Sequence, residues 1–116
     1  MSSVTIYHNP RCSKSRQTLS LLNEKDITPE IILYKESPIS TEQLSEVISL
    51  LGIRPAELIR QTEPEFKALK ISIADMSDEE LIREMVKTPV LIQRPIVIAN
   101  GQARIGRPPE NVLEIL

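Results

Sequence analysis

The stretch "TIYHNPRCSKSRQTLSLL", Thr5 to Leu22, changes period midway and decides the fold. Its opening, with Val4 in front, is short and β-branched and stops at Asn9-Pro10, the pattern of a buried strand running into a turn. From about Ser13 or Ser15, leucines at 19, 21 and 22 recur among polar residues as far as Asn23 to Asp26, which predicts a helix of about three turns. Cys12, the only cysteine of the chain, therefore stands where a strand-loop-helix unit opens its helix, and His8, the only histidine, precedes it at the strand end.

Working outward, "EIILYKE" is entered through Thr28-Pro29 and holds an apolar run to Tyr34, predicting a second strand over Glu30 to Tyr34 and so a β-α-β unit. In "STEQLSEVISLLG", Ser40 and Gln43 stand at capping-box spacing. Leu44, Val47, Ile48 and Leu51 follow a helical stripe, and Gly52 supplies the stop. Shorter helices are expected at Pro55 to Arg60 and Pro64 to Leu69. "SDEELIREMVK" repeats the capping box with Ser77 and Glu80, and Ile82, Met85 and Val86 should face inward. Beyond Thr88-Pro89, Asn100-Gly101 separates two extended runs, Ile96 to Ala99 and onward through Ile105, the signature of a hairpin. Pro108 and Pro109 then introduce "ENVLEIL" as a closing helix, since a first-turn proline lacks only an N–H that would be unbonded there. Neither a repeat nor a linker interrupts the order. It predicts an α/β, thioredoxin-like fold in one domain over residues 1–116, with a helical insertion between the N-terminal β-α-β unit and the C-terminal β-hairpin and helix.

A chain of 116 residues with 41% hydrophobic and 26% charged residues can build a core without a metal or disulfide staple. A net charge of -2 gives no general attraction to nucleic acid or an anionic membrane. With neither a signal-like start nor an apolar run of about 18 residues, a cytoplasmic protein with no membrane partner is expected. One cysteine and one histidine cannot assemble a multi-Cys/His zinc site, so no metal is expected. If Cys12 does redox chemistry, its disulfide partner must come from another molecule.

The reactive form of cysteine is the thiolate, and a free thiol with a pKa of about 8.5 is mostly protonated in the cytosol. A helix start favours the anion through its unpaired N–H groups and dipole, while Arg11, Lys14, Arg16 and His8 can add positive charge. Ser13 and Ser15 can donate hydrogen bonds to the same sulfur. Such polar, basic flanks suit a reactive thiol better than an apolar core filler, the usual role of a lone cysteine. Donors that converge on a thiolate would also hold a tetrahedral oxyanion.

"IYHNPRCSKSR" from Ile6, "LIRQ" at Leu58 to Gln61, "RPIVIANG" at Arg94 to Gly101 and "RIGRPPE" at Arg104 to Glu110 occur in this order over nearly the whole chain. With these motifs the sequence resembles the glutaredoxin-linked arsenate reductase family (ArsC family, thioredoxin-like), in its short branch. The resemblance implies that Cys12 is the nucleophile toward arsenate, with His8 and Ser15 favouring its thiolate. It implies that Arg60, Arg94 and Arg107 hold the oxyanion, and that Pro95 is the cis-proline facing the active site. It further implies no bound cofactor, glutathione as co-substrate, glutaredoxin as electron-donating partner and a monomeric enzyme. Two departures stand out: Ser13-Lys14 follows the cysteine where the family's best-studied members have Gly-Thr, and their C-terminal extension has no counterpart after Leu116. The competing readings are a regulator of the Spx type that binds RNA polymerase, which typically carries Cys-x-x-Cys where this chain has Cys12-Ser13-Lys14-Ser15, and another glutathione-linked thiol-redox enzyme.

Overall fold

In the computed structural model, which describes residues 3–37, 39–70 and 72–116, the chain divides into two units, residues 1–37 with 94–116 and residues 38–93. The first unit holds the sheet. Strand β1 (Val4–Tyr7) leads to helix α1 (Ser13–Glu24) and strand β2 (Glu30–Ile32); strands β3 (Ile96–Ala99) and β4 (Gln102–Ile105) come from the far end of the chain. The sheet order is β2-β1-β3-β4, with β1 and β2 parallel and both β1–β3 and β3–β4 antiparallel. This is the thioredoxin-like arrangement anticipated from the element order.

The register aligns four chain ends at one margin of the sheet. Tyr7 pairs with Ile32 on one side and with Ile96 on the other, and Ile96 pairs with Ile105. One residue further, the exits of β1, β2 and β4 and the entry to β3 lie abreast. His8 donates its N–H to Ile32 O at 2.8 Å, and Gly106 donates to Pro95 O at 2.9 Å. A Cβ on Gly106 would stand 2.5 Å from Thr18 Oγ1 and 2.8 Å from Pro95 Cγ, so the missing side chain is what lets Pro95 and α1 approach that closely.

Asn100 (φ 53) and Gly101 (φ 74) both take positive φ at the β3–β4 turn, as a two-residue hairpin with the right twist requires. Behind the sheet, Ile6, Leu22, Val97, Ala99, Val112 and Ile115 form one buried cluster, with Val4, Leu19, Leu21 and Ile27 packed against it. Two expectations change here. Strand β2 ends at Ile32 rather than Tyr34, because the chain turns: Glu36 and Ser37 both donate to Leu33 O, at 2.9 and 2.8 Å. The closing helix is a 3-10 helix over Pro109–Ile115. Its three-residue period puts Pro109, Val112 and Ile115, all buried, in one line, which an α-helical period would not.

The second unit is the expected insertion. Helix α2 (Thr41–Leu51) starts at the Ser40/Gln43 capping box and stops at Gly52 in the left-handed region (φ 70). Helices α3 (Pro55–Leu58) and α4 (Pro64–Leu69) follow, each with proline in its first turn, and α5 (Asp78–Lys87) starts at the Ser77/Glu80 capping box. On α5 the buried pair is Leu81 and Met85; Ile82 and Val86, expected to face inward, are only half-buried. Leu44, Val47, Ile48, Leu58, Ile59, Leu91 and Ile92 are buried with that pair.

Candidate active site

Helix α1 begins at Cys12, which occupies the N-cap position in extended backbone (φ -93, ψ 124) and makes no side-chain cap bond. An Asx turn fixes the approach: Arg11 donates its N–H to Asn9 Oδ1 at 3.0 Å, and Cys12 donates to Asn9 O at 3.0 Å. Ser15 Oγ, fully buried, accepts the Asn9 N–H at 3.3 Å. The Ser15 hydroxyl therefore ties the loop down, while its backbone N–H and that of Lys14 favour the anionic form of the cysteine sulfur without closing a cap bond to it.

Burial pushes the Cys12 thiol up, but the N–H groups of Ser15 and Lys14, and then the charges of Arg94 and Arg107, outweigh it and leave the thiol below its ordinary value. Arg107 Nη2 donates to Cys12 Sγ at 3.4 Å. Its Nε donates to Arg94 O at 2.7 Å, and Asn111 Nδ2 donates to Arg107 O at 3.1 Å, so the guanidinium is anchored on one side and offered to the sulfur on the other. The Arg94–Pro95 peptide is cis, as anticipated, and so is Arg107–Pro108, which sequence reading had not singled out.

The source of positive charge corrects the sequence reading. Arg11 and Arg16 are exposed, and Arg16 Nη1 donates to Pro10 O at 2.9 Å; the cations that act on the thiol are Arg94 and Arg107, which stand far away in sequence. Lys14 contributes its backbone N–H rather than its ammonium. His8 is buried, and that burial, reinforced by the nearby charge of Arg16, lowers its pKa, so its imidazole is neutral near pH 7 and adds no cation. Its Nδ1 is buried without a hydrogen-bond partner.

Cys12, His8, Ser15, Arg94, Arg107 and Pro95 thus all belong to the first unit. Arg60 belongs to the other. There it follows α3, donates its backbone N–H to Leu91 O at 2.6 Å, and pairs with Glu63 at 3.0 Å, with Nη1 buried and unpartnered. Among the described residues, no group of His, Cys, Asp and Glu is arranged to hold a metal ion.

Sequence reading missed Tyr34. It is 2% exposed, sits one turn past β2, and its hydroxyl has no hydrogen-bond partner. Burial pushes its pKa up to about 12; the Cys12 charge acts in the same direction, while Arg94, the Asn9 side chain and Arg107 oppose it. Asn9 thus lies close enough to influence the phenol, but no bond of ordinary geometry reaches the phenol oxygen. No sequence signal marks it, because the apolar run reads as strand through Tyr34 whereas the chain turns after Ile32.

The sequence profile of the ArsC family matches residues 7–115. The chain belongs to the ArsC family. It is 54% identical over 114 residues to the Escherichia coli (strain K12) protein YfgD, covering 97% of this chain and 96% of that one. It is 47% identical over 115 residues to a Haemophilus influenzae protein named arsenate reductase, covering 98% and 99%. The solved structure of an arsenate reductase from Vibrio cholerae superposes with a TM-score of 0.95 at 49% identity, covering 98% of both chains.

Proposed function

We propose that this protein reduces arsenate to arsenite, with Cys12 as nucleophile and glutathione and glutaredoxin as the source of electrons, in a cytoplasmic monomer. The observation that carries the reading is the contact of Arg107 Nη2 with Cys12 Sγ at 3.4 Å, at a helix start whose Lys14 and Ser15 N–H groups also favour the thiolate. The ArsC relatives named arsenate reductase supply the substrate class.

Arg94 and Arg107 offset the repulsion between the thiolate and an anionic substrate, and their planar forks match pairs of oxyanion oxygens. The sulfur then forms a bond to arsenic as one oxygen leaves with two protons as water, and arsenic stays As(V) in this step. Two external thiols complete the reaction: they become one disulfide, arsenic accepts their two electrons, and Cys12 returns as a thiolate. The need for outside thiols agrees with the single cysteine of the chain. Neutral His8 and Ser15 act by holding the loop and its donors in place. The family resemblance gives Arg60 an oxyanion contact; its support within its own unit is the buried, unpartnered Nη1.

The direct test is a coupled assay with arsenate, glutathione and glutaredoxin. Wild type should yield arsenite and Cys12→Ser none; equal production by the two proteins would overturn the reading. Co-purification with RNA polymerase in the absence of any such activity would favour a regulatory role instead.

A further inference from the structure

The Arg107 guanidinium reaches two places, Arg94 O through Nε at 2.7 Å and Cys12 Sγ through Nη2 at 3.4 Å. Both contacts start from one backbone position, so whatever fixes the backbone of Arg107 also fixes the reach of the guanidinium to the sulfur. On the entry side the sheet does this: Gly106 donates to Pro95 O at 2.9 Å, and Arg107 donates its own N–H to Ile105 O at 2.9 Å. On the exit side the sequence removes the ordinary means. Pro108 and Pro109 follow directly, and neither has an N–H to give.

A side chain holds the Arg107 carbonyl instead: Asn111 Nδ2 donates to it at 3.1 Å. Asn111 is itself firmly placed. Its backbone N–H is donated to Pro108 O at 3.0 Å, and its neighbours on the 3-10 helix, Pro109 and Val112, are buried, Val112 in the cluster behind the sheet with Ile6, Leu22 and Val97. A continuous path thus runs from the core through Asn111 and the Arg107 backbone to the guanidinium and the sulfur. The residue type fits the task. An amide donates without carrying charge, whereas a carboxylate at this position could only accept and would draw the guanidinium away from the sulfur.

We propose that Asn111 is a positioning residue for the reaction at Cys12: its side-chain amide holds the Arg107 backbone so that the guanidinium stays within reach of the thiolate and of the oxyanion it attacks. The proposal rests on the site described under the proposed function and adds to it a residue that acts on the sulfur through Arg107.

The test is a double-mutant cycle. Asn111→Leu keeps roughly the shape of the side chain and removes the donor. Its Cys12 thiolate midpoint, read by absorbance against pH, should rise in the direction expected for Arg107→Ala but by less, and kcat/KM for arsenate in the coupled assay should fall about three- to tenfold. With the guanidinium already gone, in Arg107→Ala combined with Asn111→Leu, the leucine should add nothing to either quantity. A purely structural bond would instead lower the melting temperature in both backgrounds and leave the midpoint alone. A wild-type midpoint in Asn111→Leu, or losses that add in the double variant, would overturn the proposal, and Asn111→Ala serves the same readings should leucine prevent folding. Arsenite production by wild type with a midpoint unmoved by Asn111→Leu would reject the role of Asn111 and leave the arsenate reading standing. The predicted midpoints in a protein that makes no arsenite would do the reverse.

Discussion

Helices α2 and α5 each begin with a serine whose hydroxyl accepts the N–H three residues on, and each has acidic side chains in its first turn: Glu42 in α2, and Asp78, Glu79 and Glu80 in α5. Helix α1 begins at Cys12 with neither device. All three helices have the same unpaired first-turn donors to satisfy. In the insertion those donors are closed off by the chain's own oxygens, and the positive end of each helix is neutralised locally. In the sheet-bearing unit they are left to a sulfur, and any acidic residue in that turn would repel both the thiolate and an anionic substrate. Of these three helices, the one that starts at Cys12 lacks the stabilising cap.

The contrast is broken most sharply by Cys12→Ser. Serine is a better N-cap than cysteine, so this variant should lose arsenate reduction completely while its melting temperature holds or rises. A marked fall in melting temperature would mean that Cys12 serves the fold. Arg107→Ala should come next. It removes charge-assisted bonds worth roughly 1.5 to 3 kcal/mol and should lower kcat/KM about ten- to a hundredfold, and Arg107→Lys should also be harmful because the planar fork is lost. Arg83→Ala is the control: it is exposed and its nearest partner, Glu79, is 3.7 Å away, so the same assay should change little. Equal losses in the two arginine variants would dissolve the site.

A smaller effect is expected at Gly106, where alanine would force a Cβ to within 2.5 Å of Thr18 Oγ1 and 2.8 Å of Pro95 Cγ. Overpacking of this kind costs about 1 to 3 kcal/mol, and a thermal melt should show it together with lowered activity, since Pro95 neighbours Arg94. The smallest change is Ser77→Ala, which should cost about 1 kcal/mol through loss of the α5 cap and leave kcat/KM nearly intact.

The same comparison shows what the sequence could reveal. The caps of α2 and α5, the Gly52 stop and the Asn100-Gly101 turn are local devices. Each is spelled by residues within three or four positions of one another, and each was legible with its correct boundaries. The inner face of α1 was not. Its buried residues are Ser15, Thr18 and Leu22, a mostly polar stripe that the leucine pattern hid, because this face meets Pro95, Gly106 and the Cys12 loop rather than apolar core alone. The place of Cys12 at the start of α1 was legible from the change of period, yet its flanks suggested other cations than those that act on the thiol: Arg11 and Arg16 face solvent, and the fold brings in Arg94 and Arg107. Tyr34 was read as an ordinary strand residue. The fold instead buries it beyond the end of β2, where the charges of Arg94 and Cys12 act on its hydroxyl.

The central claim is that this open helix start and the two distant arginines hold Cys12 as a thiolate. In the folded protein the Cys12 pKa lies below its ordinary value. Its contribution to stability is therefore fully present above the unfolded value and is lost as pH falls through the folded one. The deciding measurement is the pH dependence of thiolate absorbance in wild type, read against Cys12→Ser as blank and repeated in Arg107→Ala. The account predicts a wild-type midpoint clearly below about 8.5 that moves upward when Arg107 is removed. A wild-type midpoint at or above that value, or one that does not respond to loss of Arg107, would contradict it.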